Sequence, residues 1–305
     1  MATEKQKNYI TRWIIKALEN DLIPWQQTWI DDSSHHNGFK GNAYTGSNRL
    51  ILWAFSALHG LSSSVWLTPK QIRQLGGHIN KGAKVCDILF YKAQEIEELD
   101  PDTNELVTRK GKSLLIFSRV FNLEHTTGVK LHKRELVKPK RAKKLNPKKK
   151  AQAILDNFLA GADAPSYDHN GGGSAFYRPS THAISMPKQE LFNSYDAYIA
   201  TSYHECGHAT GNSSMLNRFD NETKLAPFGS EDYSKEELIA EFTSAFLCHE
   251  AGINSTRKNS ASYIKSWLKV LKNDSGMLLD AAGQAQKASN FILKAPTGAV
   301  EAPVG

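Results

Sequence analysis

The amino-acid sequence predicts an α+β fold in two domains, and three observations support this prediction. A chain of 305 residues, 40% of them hydrophobic, is long enough to build two packed cores. Segments with helical periodicity alternate with short runs of strand-forming residues. A strongly basic stretch over residues 130–150 has the composition of a linker and separates the two halves.

The first half combines helices with a pair of strands. Tyr9 to Asn20 is predicted to be a helix because its hydrophobic residues follow the helical period. Thr68 and Pro69 mark the start of another helix, as the N-cap and the first helical residue. Strands are expected from Val85 to Lys92 and from Leu114 to Phe121, joined by a charged hairpin loop.

The basic stretch sets the predicted domain boundaries. Residues 1–129 form the first domain, residues 130–150 the linker, residues 151–294 the second domain and residues 295–305 a disordered tail. The linker carries eleven lysine and arginine residues against a single acidic residue. The net charge of the chain is +7, so the remainder of the chain is slightly acidic. The linker either is a solvated tether or attracts the phosphates of a nucleic acid independently of its base sequence.

The second half is predicted to be mostly helical with a small sheet. A strand with a bend is expected from Phe176 to Met186. Its last part, Ala183 to Met186, could pair with an extended substrate or instead with a neighbouring strand of its own sheet. Four helical segments follow, at approximately residues 195–210, 236–246, 263–271 and 277–293.

The first of these helices carries the motif His-Glu-x-x-His, formed by His204, Glu205 and His208. Residues four apart share one face of a helix, so both imidazoles can point at one ion. Glu205 stands beside them and could take a proton from a metal-bound water. The pattern is typical of a zinc hydrolase. A buried helix seldom carries two imidazoles and a carboxylate unless these side chains are paired with other groups or bound to a metal.

A third ligand is expected from the following helix. Glu237 and Glu241 lie four residues apart, and we assign Glu237 as the ligand and Glu241 as a support for a ligand histidine. The alternative is a capping box that starts at Ser234 and places Glu237 at the third helical position. Zinc is the expected ion, although manganese, cobalt or nickel could also occupy two imidazoles and a carboxylate.

The first half offers residues suited to single-stranded DNA, which needs aromatic platforms for its bases and cations for its phosphates. The candidates are Trp25, Tyr44 and Trp66 for stacking, and Asn48, Arg49, Lys70, Lys81 and Lys84 for polar contacts. Each aromatic residue could instead belong to the core, and Asn48 could instead hold a turn.

Targeting signals are not evident in the sequence. It has no apolar run near twenty residues and no apolar signal region at its beginning, so we expect a cytoplasmic protein without a membrane span. Cys86, Cys206 and Cys248 are widely spaced, which favours free thiols over a disulfide framework. Neither the oligomeric state nor a protein substrate is specified by the sequence.

Short motifs in both halves resemble those of the ArdC family of antirestriction proteins, which mobile elements carry. The resemblance covers roughly residues 9–293. It includes Ile23-Pro24-Trp25, Tyr44-x-Gly46-x-Asn48, Trp66-Leu67-Thr68, Val120-Phe121-Asn122, Ile184-x-Met186-Pro187, the His204 motif, and Glu236-Glu237-Leu238 with Ala240-Glu241. One departure is Cys206-Gly207, where the family more often has bulky apolar residues.

The resemblance implies a small α+β domain that binds single-stranded DNA and a zincin-like metallopeptidase domain. In the predicted mechanism Glu205 is the general base, and Tyr233, one turn before Glu237, donates to the oxyanion. One alternative is a non-catalytic shield that coats single-stranded DNA and has a structural metal site. Another is a protease that removes proteins crosslinked to DNA, as SprT-like proteins do.

Overall fold

The computed structural model describes residues 4–25, 34–92, 95–99, 105–110, 114–131, 146–219, 231–253, 267–269, 271–272 and 274–293. Its α-helices are α1 (Glu4–Glu19), α2 (Gly46–His59), α3 (Pro69–Gln74), α4 (Pro147–Leu159), α5 (Tyr195–Ala209), α6 (Glu231–Ala251) and α7 (Ser275–Ile292). The helix expected at Thr68 is confirmed as α3, where Thr68 and Gln71 form a capping box.

The strands of the first half form one four-stranded sheet and two small ribbons. They are β1 (His36–Asn37), β2 (Val65–Leu67), β3 (His78–Ile79), β4 (Cys86–Lys92), β5 (Glu95–Leu99), β6 (Leu106–Lys110), β7 (Leu114–Asn122) and β8 (Thr126–Thr127). The sheet has the order β1-β2-β7-β4, and the antiparallel pair β4 and β7 is its main part. The expected loop between these strands instead contains the paired strands β5 and β6.

The second half contains a three-stranded sheet of β9 (Ser166–Asp168), β10 (Phe176–Arg178) and β11 (Ala183–Ser185). The single bent strand expected here is therefore two strands, joined by a 3₁₀ turn at Pro179–Thr181. Strand β11 pairs with β10 on one side and with β9 on the other. It has no free edge, so the expected pairing with an extended substrate is wrong, and the alternative pairing within its own sheet is confirmed.

One hydrophobic core contains residues from both halves of the chain. Ile14 of α1 and Phe55 of α2 pack in the same cluster as Phe242 of α6 and Leu278 of α7. Polar contacts cross the same interface, since the amide of Gly46 donates to the Gln286 side chain at 3.0 Å. The two-domain α+β architecture thus has a large buried contact between its domains, and a second core lies between α4, α5 and the β9–β11 sheet.

The end of the basic stretch is helical rather than part of a linker. Asn146 caps α4 by accepting a hydrogen bond from the amide of Lys148, so α4 begins at Pro147, inside the stretch expected as a linker. Residues 132–145 and the expected tail 295–305 lie outside the described residues. Within the described part of the chain, no helix has the length and apolar character needed to cross a membrane.

Candidate metal centre

Helix α5 presents the two motif histidines on one face, where His204 is buried and His208 is half-buried. Ser194 starts the helix by accepting a hydrogen bond from the amide of Ala197. One turn separates His204 from His208, and their Nε2 atoms lie 3.1 Å apart. Glu205 follows His204 on the same helix, and its side chain is buried. No described residue forms a hydrogen bond with the Glu205 carboxylate.

Helix α6 brings Glu237 to both histidines. Its Oε2 lies 3.5 Å from Nε2 of His204, and its Oε1 lies 3.5 Å from Nε2 of His208. A tetrahedral ion with bonds of about 2.0–2.2 Å separates its ligand atoms by about 3.3–3.6 Å. The three side chains thus have the spacing that one cation requires, and their ligand atoms all lie within 4.8 Å of one another.

The alternative capping role of Glu237 does not match the helix. Helix α6 begins at Glu231, so Ser234 lies inside its first turns and is not its N-cap residue. Glu237 is consequently well within the helix, where its side chain points at α5. Tyr233 lies one turn earlier on α6 and is half-buried.

Two further carboxylates contact the outer ring nitrogens of the histidines. Glu241 Oε2 lies 3.5 Å from Nδ1 of His204, which is the position predicted for it, and Glu236 Oε1 lies 3.3 Å from Nδ1 of His208. Arg218 donates to Glu236 twice, at 3.2 Å from Nε and at 2.8 Å from Nη2. Such outer partners fix the orientation of a metal-binding imidazole. The sequence carries no comparable signal for Glu236 or Arg218.

The carboxylates also determine the protonation of the site. Burial disfavours charge on His208, but hydrogen bonds to Glu236 and Glu237 outweigh burial and raise the pKa of His208 to about 10. Burial likewise opposes the charge on Glu237, yet hydrogen bonds from His204 and His208 hold its pKa well below the usual value. The pKa of Glu236 is lowered against burial by His208 and Arg218. This negative environment suits a divalent cation.

The aromatic residues expected to stack on DNA are buried. Trp25 is 1% exposed, Trp66 is 0% exposed and Tyr44 is 7% exposed. Trp25 donates through Nε1 to Glu241, and Trp66 donates through Nε1 to His35. Stacking of a base requires an accessible ring face. The prediction that these three residues form a stacking surface is therefore wrong, because their rings pack inside the fold.

Asn48 and Arg49 also have structural positions. The Asn48 side chain pairs with the backbone of Leu89, donating to its carbonyl and accepting from its amide, each at 2.7 Å. This link fixes α2 to β4, which is neither the predicted DNA contact nor the alternative role in a turn. Arg49 is buried, and its guanidinium lies 4.9 Å from the ring centroid of Phe246. These contacts contradict the prediction that either side chain is presented to DNA.

The lysine candidates, in contrast, lie on the surface. Lys70 on α3 is exposed, as are Lys81 and Lys84 in the connection between β3 and β4. Arg73, one turn after Lys70, is exposed as well. These four residues are placed where they can contact a phosphate chain.

An exposed aromatic residue that was not predicted to bind DNA lies near α3. Phe39 is 39% exposed in the turn after β1. Asn37 holds this turn by accepting from the amides of Phe39 and Lys40, at 3.1 and 2.9 Å. Nδ2 of the Asn37 side chain also donates to Oε1 of Gln71 in α3 at 3.0 Å, so the turn is fixed beside the helix that carries Lys70.

Comparisons with known proteins agree with this geometry in both halves. Residues 4–121 match the profile of the N-terminal domain of anti-restriction factor ArdC, and residues 153–284 match that of a zincin-like metallopeptidase. The crystal structure of the metal-free antirestriction protein ArdC from plasmid R388 superimposes with a TM-score of 0.71 at 31% identity. That alignment covers 94% of this chain and 96% of the R388 protein. The chain belongs to the ArdC family.

Other relatives extend this likeness. The Mn(II)-bound structure of R388 ArdC is 29% identical with a TM-score of 0.71, covering 96% of this chain and 99% of that one. The uncharacterized protein y4eC of Sinorhizobium fredii (strain NBRC 101917 / NGR234) is 30% identical over 93% of this chain and 90% of its own length. Two Escherichia coli proteins named DNA primase TraC are 33% and 32% identical, but the chain spans only 19% and 26% of their lengths.

The one departure from the ArdC family in the metal motif has a packing reason. A Cβ atom on Gly207 would lie 3.1 Å from Cα of Ala240 and 3.2 Å from Cβ of Thr243. Helices α5 and α6 run antiparallel here, since His208 meets Glu236 while the earlier Ala200 accepts a hydrogen bond from Ser244. Glycine thus permits the close helix approach that brings Glu237 to the histidines.

Proposed function

We propose that the chain is an antirestriction protein that binds single-stranded DNA and hydrolyses peptide bonds at a divalent metal centre. The observation that carries this proposal is the convergence of His204, His208 and Glu237 from two helices, with Glu205 beside them. Zinc matches this ligand set, and the Mn(II)-bound structure of R388 ArdC supports manganese as a second candidate. Restriction acts on DNA entering the cytoplasm, which is where we propose that the protein works.

The residues of the chain divide the chemistry between them. A divalent cation supplies Lewis acidity, which lowers the pKa of water and polarises a carbonyl group. Glu205 takes the proton from the attacking water and delivers it to the leaving amine. Glu241 and Glu236 keep the ligand imidazoles in position, with Arg218 fixing Glu236.

Stabilisation of the oxyanion requires a donor in addition to the metal. Tyr233 is our candidate because it precedes Glu237 by one turn of α6, and its half-buried side chain lies on the helix that carries the third ligand. Replacement of Tyr233 with Phe removes only the hydroxyl group. A loss of turnover with unchanged metal affinity would support the role, whereas unchanged turnover would exclude it.

For DNA binding we propose a surface formed by Phe39, Lys70, Arg73, Lys81 and Lys84. The exposed cations supply sequence-independent attraction for phosphates, and Phe39 supplies the ring that a base can stack on. Phe39→Ala should weaken binding of single-stranded DNA with little effect on its salt dependence, because the change removes stacking and no charge. Equal affinities of Phe39→Ala and the unaltered protein for single-stranded DNA would show that Phe39 is not part of the DNA-binding surface.

The experiment that tests the enzymatic role is Glu205→Gln, which removes the base and preserves its shape. We expect the variant to bind metal and DNA normally and to lose cleavage of an unfolded protein such as casein by at least a hundredfold. Glu190→Gln is the matched control, since Glu190 is exposed in the same half of the chain. Full peptidase activity in Glu205→Gln would refute the mechanism.

A non-catalytic shield is the second candidate, and one observation favours it. The proposed ligands lie between α5 and α6, with His204 and Glu237 buried and His208 half-buried, so an ion there would hold these helices together whether or not it performed chemistry. Antirestriction measured in cells with Glu205→Gln separates the two functions. Complete protection by this variant favours the shield, and loss of protection favours the peptidase.

A further inference from the structure

We infer that Trp25 is a positioning residue of the metal centre, acting through Glu241 on His204, so that the N-terminal domain completes the site in the C-terminal domain. The inference rests on the metal site of the proposed function. It assigns a role to a residue that neither touches a ligand atom nor belongs to the metallopeptidase part of the sequence.

The first support is a hydrogen bond that crosses between the domains. Nε1 of Trp25 donates to Oε1 of Glu241 at 3.2 Å, joining residues 216 positions apart. The second carboxylate oxygen of Glu241 lies 3.5 Å from Nδ1 of His204, whose Nε2 faces Glu237. Each oxygen of Glu241 therefore has its own partner, and the indole fixes how the carboxylate is turned toward the imidazole.

The second support is the rigid setting of the donor. The Trp25 ring meets Phe242 edge-on at 4.8 Å and Trp267 at 5.9 Å between ring centroids. Trp25 is 1% exposed and Glu241 is 2% exposed, so water has little access to replace the bond. A hydrogen bond to a buried carboxylate is stronger than one at the surface, because the acceptor is charged and water screens the interaction less.

The same contact explains why Trp25 lies outside any DNA-binding surface. Polar residues follow Trp25 in the sequence, yet its side chain is inserted into the core that both domains share. A change in the N-terminal domain that moved this segment would alter the orientation of Glu241, and hence of a ligand histidine. The metal affinity of the C-terminal site thus depends on a residue of the N-terminal domain.

The test compares Trp25→Phe with Trp53→Phe in the full-length protein. Trp53 is buried in the same core, but its Nε1 has no hydrogen-bond partner among the described residues. Both changes remove similar volume, and only Trp25→Phe removes a bond to Glu241. We expect Trp25→Phe to weaken Zn²⁺ and Co²⁺ binding about tenfold in chelator competition. This is the lower end of the roughly 10–100-fold range for loss of a group that supports a metal ligand. Trp53→Phe should weaken it less than about twofold.

A double-mutant cycle with Glu241→Ala tests the route of the effect. If Trp25 acts through Glu241, Trp25→Phe should change metal affinity less than about twofold in the Glu241→Ala background. The visible spectrum of bound Co²⁺ should also shift in Trp25→Phe and stay unchanged in Trp53→Phe. A full tenfold loss in the Glu241→Ala background, or equal affinities of the two tryptophan variants, would overturn the inference.

Two further measurements keep these outcomes interpretable. Far-UV circular dichroism and thermal unfolding without metal establish that each variant is folded. Should Trp25→Phe not fold, benzothienylalanine at position 25 replaces only the N–H with sulfur and serves in its place. Failure of the unaltered protein to bind Zn²⁺ or Co²⁺ would refute the proposed metal site itself, whereas binding without any Trp25 effect would refute only the present inference.

Discussion

Replacement of Gly207 with alanine should weaken metal binding more than it weakens the fold. The added Cβ would lie 3.1 Å from Cα of Ala240, 3.2 Å from Cβ of Thr243 and 3.4 Å from the carbonyl oxygen of Ala240. These neighbours are two backbone atoms and a branched carbon, so α5 and α6 must separate by a few tenths of an ångström. Overpacking of this kind costs about 1–3 kcal/mol, and alanine returns about 1 kcal/mol of helix propensity.

The net loss of stability is therefore expected to be about 0–2 kcal/mol, since these two terms oppose each other. The metal site is less tolerant, because ligand distances must stay within about 0.2 Å of their preferred values. Separation of the helices moves Glu237 away from both histidines at once. We expect Zn²⁺ affinity to fall by at least about tenfold, comparable to loss of an outer partner.

Gly283→Ala is the matched control for this prediction. Gly283 lies in α7, and a Cβ there would meet no atom within 4 Å among the described residues. The control should stabilise the protein by roughly 0.5–1 kcal/mol and leave metal affinity unchanged. Urea unfolding without metal and chelator competition measure the two quantities separately. If Gly207→Ala behaved like Gly283→Ala in both assays, the close approach of α5 and α6 would not be what sets the ligand geometry.

Three further predictions concern the surroundings of the site and the surface. Arg218→Met should release Glu236 and weaken Zn²⁺ binding about tenfold in chelator competition, while unchanged affinity would show that Glu236 needs no anchor. Metal affinity should rise about tenfold per pH unit between pH 6 and 8, because His208, with a pKa of about 10, must lose its proton to bind. Calorimetry in buffers of different ionisation enthalpy should then record about one proton released per ion, and a flat pH profile would contradict this. Replacing Lys81 and Lys84 with alanine should reduce the slope of log binding constant against log salt concentration by about 1.4 for single-stranded DNA, because each lysine that neutralises a phosphate contributes about 0.7. An unchanged slope would show that the DNA does not contact these two lysines.

The regular elements could be predicted from the sequence because their signals are local. Helix α3 follows from Thr68 and Pro69 alone, and strands β4 and β7 follow from two apolar runs. The motif on α5 gives the face that carries both imidazoles. The short strands of the β9–β11 sheet have three residues each, which is too few for a periodic pattern.

The aromatic residues show what local signals cannot provide. Trp25 follows Pro24 in a turn-like segment and precedes Gln26 and Gln27, so the residues after it favour exposure. Its burial depends on Phe242 and Trp267, which lie more than two hundred residues later in the chain. Arg218 is a similar case, because its bond to Glu236 depends on how the chain folds back after α5. The exposure of Phe39, in contrast, could have been predicted from the sequence, because the residue stands between a glycine and a lysine in a turn.

Both the proposed chemistry and the proposed role of Trp25 require that His204, His208 and Glu237 bind one divalent cation. Elemental analysis of the purified protein, together with Glu237→Ala and the control Glu250→Ala from the exposed end of the same helix, tests this requirement directly. We predict one zinc or manganese ion per chain in the unaltered protein and in Glu250→Ala, and little metal in Glu237→Ala. Equal metal content in all three proteins would contradict the assignment of Glu237 as a ligand.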